Sequence, residues 1–289
     1  MFGGIAVAKN LLCIAHSDVR GKVFLVDLDE RRLVSVWDYG PDDGGYADAG
    51  GVAMAPDFTI YVADTRNDLV RRFSPFGKEI GRLGRPADRP PGAARRDRNG
   101  VLDRPRAVAV AAGVAYVACG ERKLVRGLQR VAVRDGMVLP PLRSFGESEG
   151  RFGAPRGVWA GASGVLVADT LHGVVQRFAA DGGFVGHFTT SSRPDESSRP
   201  AAVIELAGGD VMVADQGDHR GLKRFSKGGE PRSVPSATEA QCDEPVALAV
   251  DERGRVYVLD RDGERVQRLN DDLTFDLTVV DLAEVLHEP

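Results

Sequence analysis

Cysteine is scarce in this chain. The three present, Cys13, Cys119 and Cys242, are odd in number and far apart. They offer no disulfide framework and no paired-cysteine zinc spacing. Long apolar runs are also missing. The longest uncharged stretch, 107–120, is interrupted by Gly113 and is too short to span a bilayer. An excess of one charge sign is absent too: 38 basic residues stand against 42 acidic ones, for a net charge of −4. That balance disfavours recruitment of nucleic acid or anionic membrane by overall charge. With 43% hydrophobic residues, it also excludes wholesale disorder. Lysine is rare, and the abundance of arginine, alanine and glycine reads first as coding-composition bias. The opening residues, MFGGIAVAKN, lack a basic leader followed by a long apolar run. Together with the cysteine usage, this gives the expectation of a cytoplasmic protein, alone or as one domain of something larger. No helical period of 3.6 recurs along the chain.

What is present is a repeat. Short β-rich segments end at His16, Asp64, Cys119, Asp169, Asp215 and Asp260, close to 50 residues apart. Each is preceded by a small apolar segment, such as GVAMA at 51–55 or AVAVA at 107–111. Each is followed by a mixed one, such as LVRRF at 69–73 or VVQRF at 174–178. A fourth segment follows, as in EIGRLG at 79–84 and FVGHFT at 184–189. Glycine, Asp, Asn and Pro turns separate them. A single four-stranded sheet cannot bury both faces, whereas six arranged radially cover one another. The expectation is therefore all-β: one six-bladed β-propeller of four-stranded antiparallel blades over 1–289. Its blades fall at approximately 3–45, 46–103, 104–153, 154–199, 200–244 and 245–283. The apolar first strand suits the crowded axis, and the mixed third strand suits a more exposed place. No spare strand remains to join the first blade to the last, so closure must rest on face packing or on the tail, DLAEVLHEP.

Residues 51–78 and 157–183 each carry Gly-Val, then Val-Ala-Asp, then a turn, then an arginine-bearing third strand, LVRRF or VVQRF. In this they resemble NHL repeats, and the resemblance extends over about 3–280. Blades one and three depart from it at His16 and Cys119. The resemblance implies a propeller. It also implies two further possibilities: some six-bladed members are zinc lyases using three channel histidines, and some bind single-stranded RNA.

Strand topology puts the loops entering strand one and the turns between strands two and three on the same face. That face carries Arg66, Arg106, Arg156 and Tyr46. The recurrent Asp that ends strand two is expected to accept backbone N–H groups across its turn. Antiparallel pairing brings Arg156 near Asp169, where an ion pair is expected, while Arg106 faces Cys119 and points toward the channel mouth. The 81–106 insertion holds eight Arg, Arg95 and Arg96 among them, and suits phosphate or carboxylate. It has no aromatic for stacking bases, which weighs against RNA. His16, His172 and His219 share the face but come from blades one, four and five, an uneven set for zinc. Asp48, with Asp42, Asp43 and Tyr46, offers oxygens for calcium without EF-hand spacing. The 189–200 segment reads as a polar, mobile linker. Gly146–Gly150 matches G-x-S-x-G without the strand–elbow–helix context of a nucleophile. Trp37 and Trp159 lie in strand-like segments and read as packing residues.

These readings favour a non-catalytic module that binds a protein or peptide through the strand-one entrance face. Candidate contacts are Tyr46, Arg66, Arg95, Arg96, Arg106 and Arg156. No cofactor or catalytic residue is assigned. The alternative is a metal-dependent propeller enzyme of lyase or lactonase type, with His16, Asp48, His172 and His219 as weak metal candidates. The third reading is single-stranded RNA binding through 81–106.

Overall fold

The computed structural model describes residues 2–17, 21–40, 48–84, 102–119, 127–142, 152–191, 195–235 and 242–287. They form six sheets of four antiparallel strands, each in simple chain order. Blade one comprises β1 (Phe2–Ala8), β2 (Leu11–His16), β3 (Lys22–Asp27) and β4 (Arg32–Asp38). Blade two comprises β5 (Ala49–Met54), β6 (Ile60–Asp64), β7 (Leu69–Phe73) and β8 (Glu79–Leu83). Blade three comprises β9 (Pro105–Ala111), β10 (Val114–Cys119), β11 (Gly127–Ala132) and β12 (Val138–Leu142). Blade four comprises β13 (Pro155–Gly161), β14 (Gly164–Asp169), β15 (Val174–Phe178) and β16 (Phe184–Thr189). Blade five comprises β17 (Pro200–Glu205), β18 (Val211–Asp215), β19 (Gly221–Phe225) and the two-residue β20 (Pro231–Arg232). Blade six comprises β21 (Pro245–Val250), β22 (Val256–Asp260), β23 (Arg265–Leu269) and β24 (Phe275–Asp281). A short helix, α1 (Leu282–His287), follows.

The first strands β1, β5, β9, β13, β17 and β21 pack side by side in a closed ring, β21 against β1. Six apolar cores lie between neighbouring blades, one at each junction. Burial of β-branched and aromatic side chains on both faces of each sheet is what drives the arrangement. The junction between blades six and one is sealed by Ile5, Leu12, Ile14 and Phe24 against Tyr257, Leu259 and Val266. Leu282, the first residue of α1, joins the same core. Closure therefore uses face packing and the tail together, with no strand shared between the first and last blades.

The innermost strands approach so closely that side chains are excluded at some positions. A Cβ on Gly50 would lie 2.5 Å from the Pro105 carbonyl oxygen, and one on Gly157 would lie 2.7 Å from that of Ala201. Exposure follows an order that differs from expectation. The second strands are almost wholly buried, and the fourth alternate, as in β4. The third strands, expected to be exposed, are largely buried, Arg71, Gln176 and Gln267 included. Their polar side chains are tolerated there because the structure pairs them inside the blade, as Arg71 with Asp64 and Gln176 with Asp169.

Trp37 packs within the blade one–two core, and Trp159 bridges the cores on either side of blade five. The 189–200 segment is tied down at both ends of its described part, against the reading of a mobile linker. Thr190 and Ser198 are buried and hydrogen-bond each other, and the Ser197 N–H donates to Asp218. Gly146–Gly150, Tyr46, Arg95 and Arg96 lie outside the described residues.

Candidate functional site at the channel mouth

The face that receives the strand-one entrances is held by the recurrent Asp, which is fully buried at 64, 169, 215 and 260. The local turn bond expected of it occurs, with Asp64 accepting from the Asn67 N–H and Asp215 from that of Gly217. A second role was not foreseen. Asp169 accepts from the N–H groups of Gly153 and Ala154, Asp215 from Arg199, and Asp260 from Glu244. The carboxylate thus latches the loop that enters strand one to the end of strand two. Each such Asp also takes a cationic or amide donor from its third strand: Arg71, Gln176, Lys223 or Arg265. Asp169 is engaged by Gly153, Ala154, His172 and Gln176, so the expected Arg156–Asp169 ion pair is not made.

Beside the latch, the next residue grips the neighbouring blade. The Thr65 hydroxyl donates to the Pro105 carbonyl, and that of Thr170 to Pro200. Blades five and six carry Gln216 and Arg261 at this place.

All six first strands begin with the same irregularity. Their pairing with the second strand skips one residue: Gly3, Gly50, Arg106, Arg156, Ala201 and Val246. A bulge leaves its extra residue outside the ladder and re-aims it. All six bulge residues line one axial cavity of about 340 Å³. One position further in stands a ring of Gly4, Gly51, Ala107, Gly157, Ala202 and Ala247, and then an aliphatic ring that includes Ile5, Val108 and Leu248. The channel is therefore narrow-walled and apolar inside. At the mouth it is fringed by Asp48, Arg106, Arg156, Gln216 and Arg261.

Arg156, Gln216, Arg199, Arg220 and Glu244 frame an adjoining cavity of about 240 Å³. Arg261 lies 3.4 Å from Glu244. Burial pushes the Glu244 carboxyl up, Arg261 opposes that shift, and a hydrogen bond with Asp262 reinforces it. Among the described residues that line the two cavities, guanidinium groups from blades three to six stand beside the carboxylates of Asp48 and Glu244, and Asp48 already accepts from the Ser17 hydroxyl.

The structure thus brings Arg106 and Arg156 together as bulge residues. Arg66 lies on the same face, exposed on the turn between β6 and β7, and lines neither cavity. Arg199, Gln216, Arg220, Glu244 and Arg261 were missed by the sequence reading. The available signal was the change from the Asp-Thr of 64–65 and 169–170 to Asp-Gln at 215–216 and Asp-Arg at 260–261.

The metal candidates are dispersed. His172 Nδ1 lies 2.9 Å from Asp169, and His219 Nε2 lies 3.1 Å from Glu196, each within its own neighbourhood. His16 ends β2 opposite Phe2. Among the described residues, no group of three or more His, Cys, Asp or Glu side chains is placed to hold a metal ion. Cys119 stands where blades two, four, five and six have the recurrent Asp, and burial pushes its thiol up to about 12. No helix among the described residues is long and apolar enough to cross a membrane.

No protein-family model matches the chain, and no curated protein sequence matches it. Solved structures do share its fold. A streptogramin B lyase matches with a TM-score of 0.63 at 11% identity, over 95% of this chain and 81% of that one. Virginiamycin B lyase from Staphylococcus aureus matches with a TM-score of 0.63 at 13% identity, over 95% and 83%. A chain of a nidogen–laminin complex matches with a TM-score of 0.62 at 14% identity, over 88% of each. At these identities the likeness is one of fold: a six-bladed β-propeller.

Proposed function

We propose that this propeller, of NHL type, is a non-catalytic module that binds a protein or peptide at the channel mouth on the strand-one entrance face. The observation that carries the reading is the six-fold bulge. One residue per blade is re-aimed to the axis, and in blades three and four that residue is arginine. Bulges next to a site commonly serve to aim a side chain. Variable loops on a rigid scaffold are the usual seat of recognition. The occurrence of a similar propeller in a nidogen–laminin complex accords with protein partners. The lyase reading would draw on two other similar propellers; among the described residues, what converges at the mouth is guanidinium rather than a set of metal ligands. Fold alone does not choose between them.

The test is selection from a displayed random-peptide library against the immobilised protein. Selected peptides should lose binding to Arg156→Glu, an exposed position, and keep binding to a variant altered on the opposite face, Arg253→Glu. A library that returns no peptide sensitive to Arg156→Glu overturns the reading.

A further inference from the structure

The feature that the fold leaves unused is the charge of two arginines at the mouth, Arg199 and Arg220. Among the described residues, its smaller cavity is framed by the guanidiniums of Arg199 and Arg220, with Arg156 beside them, and by the carboxylate of Glu244, which faces Asp262. Among the described residues, the side chains of Arg199 and Arg220 make no hydrogen bond and no ion pair within 4 Å. Both residues are exposed. The Glu244 carboxylate is drawn mainly to Arg261 and feels Arg220 less strongly. Gln216 adds an amide between the two cavities.

We propose that the mouth binds an acidic segment of a partner protein, whose Asp or Glu carboxylates seat on Arg156, Arg199 and Arg220. The proposal rests on the peptide-binding reading above and names the chemistry of its ligand. A guanidinium offers a planar pair of donors that matches a carboxylate with two parallel hydrogen bonds. The cations belong to separate loops, the entrances of blades four and five and the turn between β18 and β19. Such spacing suits several carboxylates along a chain better than one compact anion. Single-stranded RNA requires aromatic platforms for its bases, and among the described residues neither cavity is lined by an aromatic. Glu244 acts in this scheme as a resident competitor, holding Arg261 and screening Arg220 until a stronger set of carboxylates arrives.

The experiment is fluorescence anisotropy of a dye-labelled octaglutamate peptide at low salt, beside an octaglutamine control. The full chain is used throughout. Octaglutamate should bind and octaglutamine should not. Arg199→Ala and Arg220→Ala should each weaken binding about tenfold, as expected for loss of a hydrogen bond to a charged group. Glu244→Gln should strengthen it about threefold, an increase that a merely structural change at this site would not produce. Equal binding of the two peptides, or indifference to the two arginine variants, overturns the proposal. Tighter binding of a uridine dodecamer overturns it in favour of RNA. Displacement of the peptide by inorganic phosphate as effectively as by unlabelled octaglutamate overturns it in favour of a point-anion site. Library peptides that bind the mouth without acidic bias would leave the peptide-binding reading standing and remove this one. Failure of both library and octaglutamate would remove both.

Discussion

Arg71 offers the sharpest test of how the blades tolerate polar groups inside. Its side chain is 5% exposed, and its Nε lies 3.0 Å from the Asp64 carboxylate, which is wholly buried. Asp64 otherwise accepts from the backbone and amide of Asn67. Arg71→Leu would keep apolar bulk and leave the carboxylate without its cation. Removal of one partner of a buried ion pair costs about 3–5 kcal/mol. Blade four shows the remedy, since Gln176 occupies the equivalent position and its amide donates to Asp169 at 2.9 Å. Arg71→Gln should therefore cost only about 1–2 kcal/mol, the difference between a charged and a neutral donor. For a chain of this size, a loss of 1 kcal/mol lowers Tm by about 2 °C. Thermal unfolding followed by circular dichroism should then place the Leu variant about 6–10 °C below the parent and the Gln variant about 2–4 °C below it. Adding Asp64→Asn to the Leu variant should restore part of the loss, because it removes the stranded charge. Equal Tm values for Leu and Gln, or no recovery in the double variant, would refute this account of how a buried third-strand cation is tolerated.

Other perturbations follow from the same geometry. Leu12→Ala, in the core between blades one and six, should cost about 2–5 kcal/mol in chemical denaturation, the range for truncating a buried leucine. Gly50→Ala should cost about 1–3 kcal/mol by overpacking, since its new methyl group would press on the Pro105 carbonyl; the urea midpoint reports it. Burial pushes the thiols of Cys119 and Cys242 up to about 12. In the unfolded chain a thiol ionises near about 8.5, so their contribution is complete below that pH and is lost as pH rises toward the folded value. Urea midpoints should fall between pH 9 and 11, and less steeply in a Cys119→Ala/Cys242→Ala variant. Tyr61 and Tyr257, raised by burial as well, act in the same direction.

The architecture was legible because it is written six times. The spacing of the Asp-terminated strands and the small apolar strands before them leave a radial stack as the way to cover every face. The interior of each blade was less legible, since Arg71 and Gln176 look like surface residues until their buried Asp partners are known. The site was legible only in part. Arg106 and Arg156 follow a proline at the start of an inner strand, and that placed them at the entrance. That they are bulge residues depends on register with the second strand, which no local pattern specifies. Arg199, Arg220 and Arg261 meet them because the blades curve around one axis. That meeting is a property of the closed ring and of no segment within it.

The way the ring closes has a mechanical consequence. Five of the six blade junctions are crossed by the polypeptide, and the sixth, between β1 and β21, joins two separate sheets through the packing of their apolar core. A ring with one such seam behaves like a spring washer: strain introduced at any blade can be relieved by a small gap at that one place. The channel mouth spans all six blades, so a gap there would move Val246 and Arg261 away from Gly3 and Asp48. The Leu282 side chain is anchored in the seam core, so it would act as a rivet against such an opening and against any spread of the arginines around the axis.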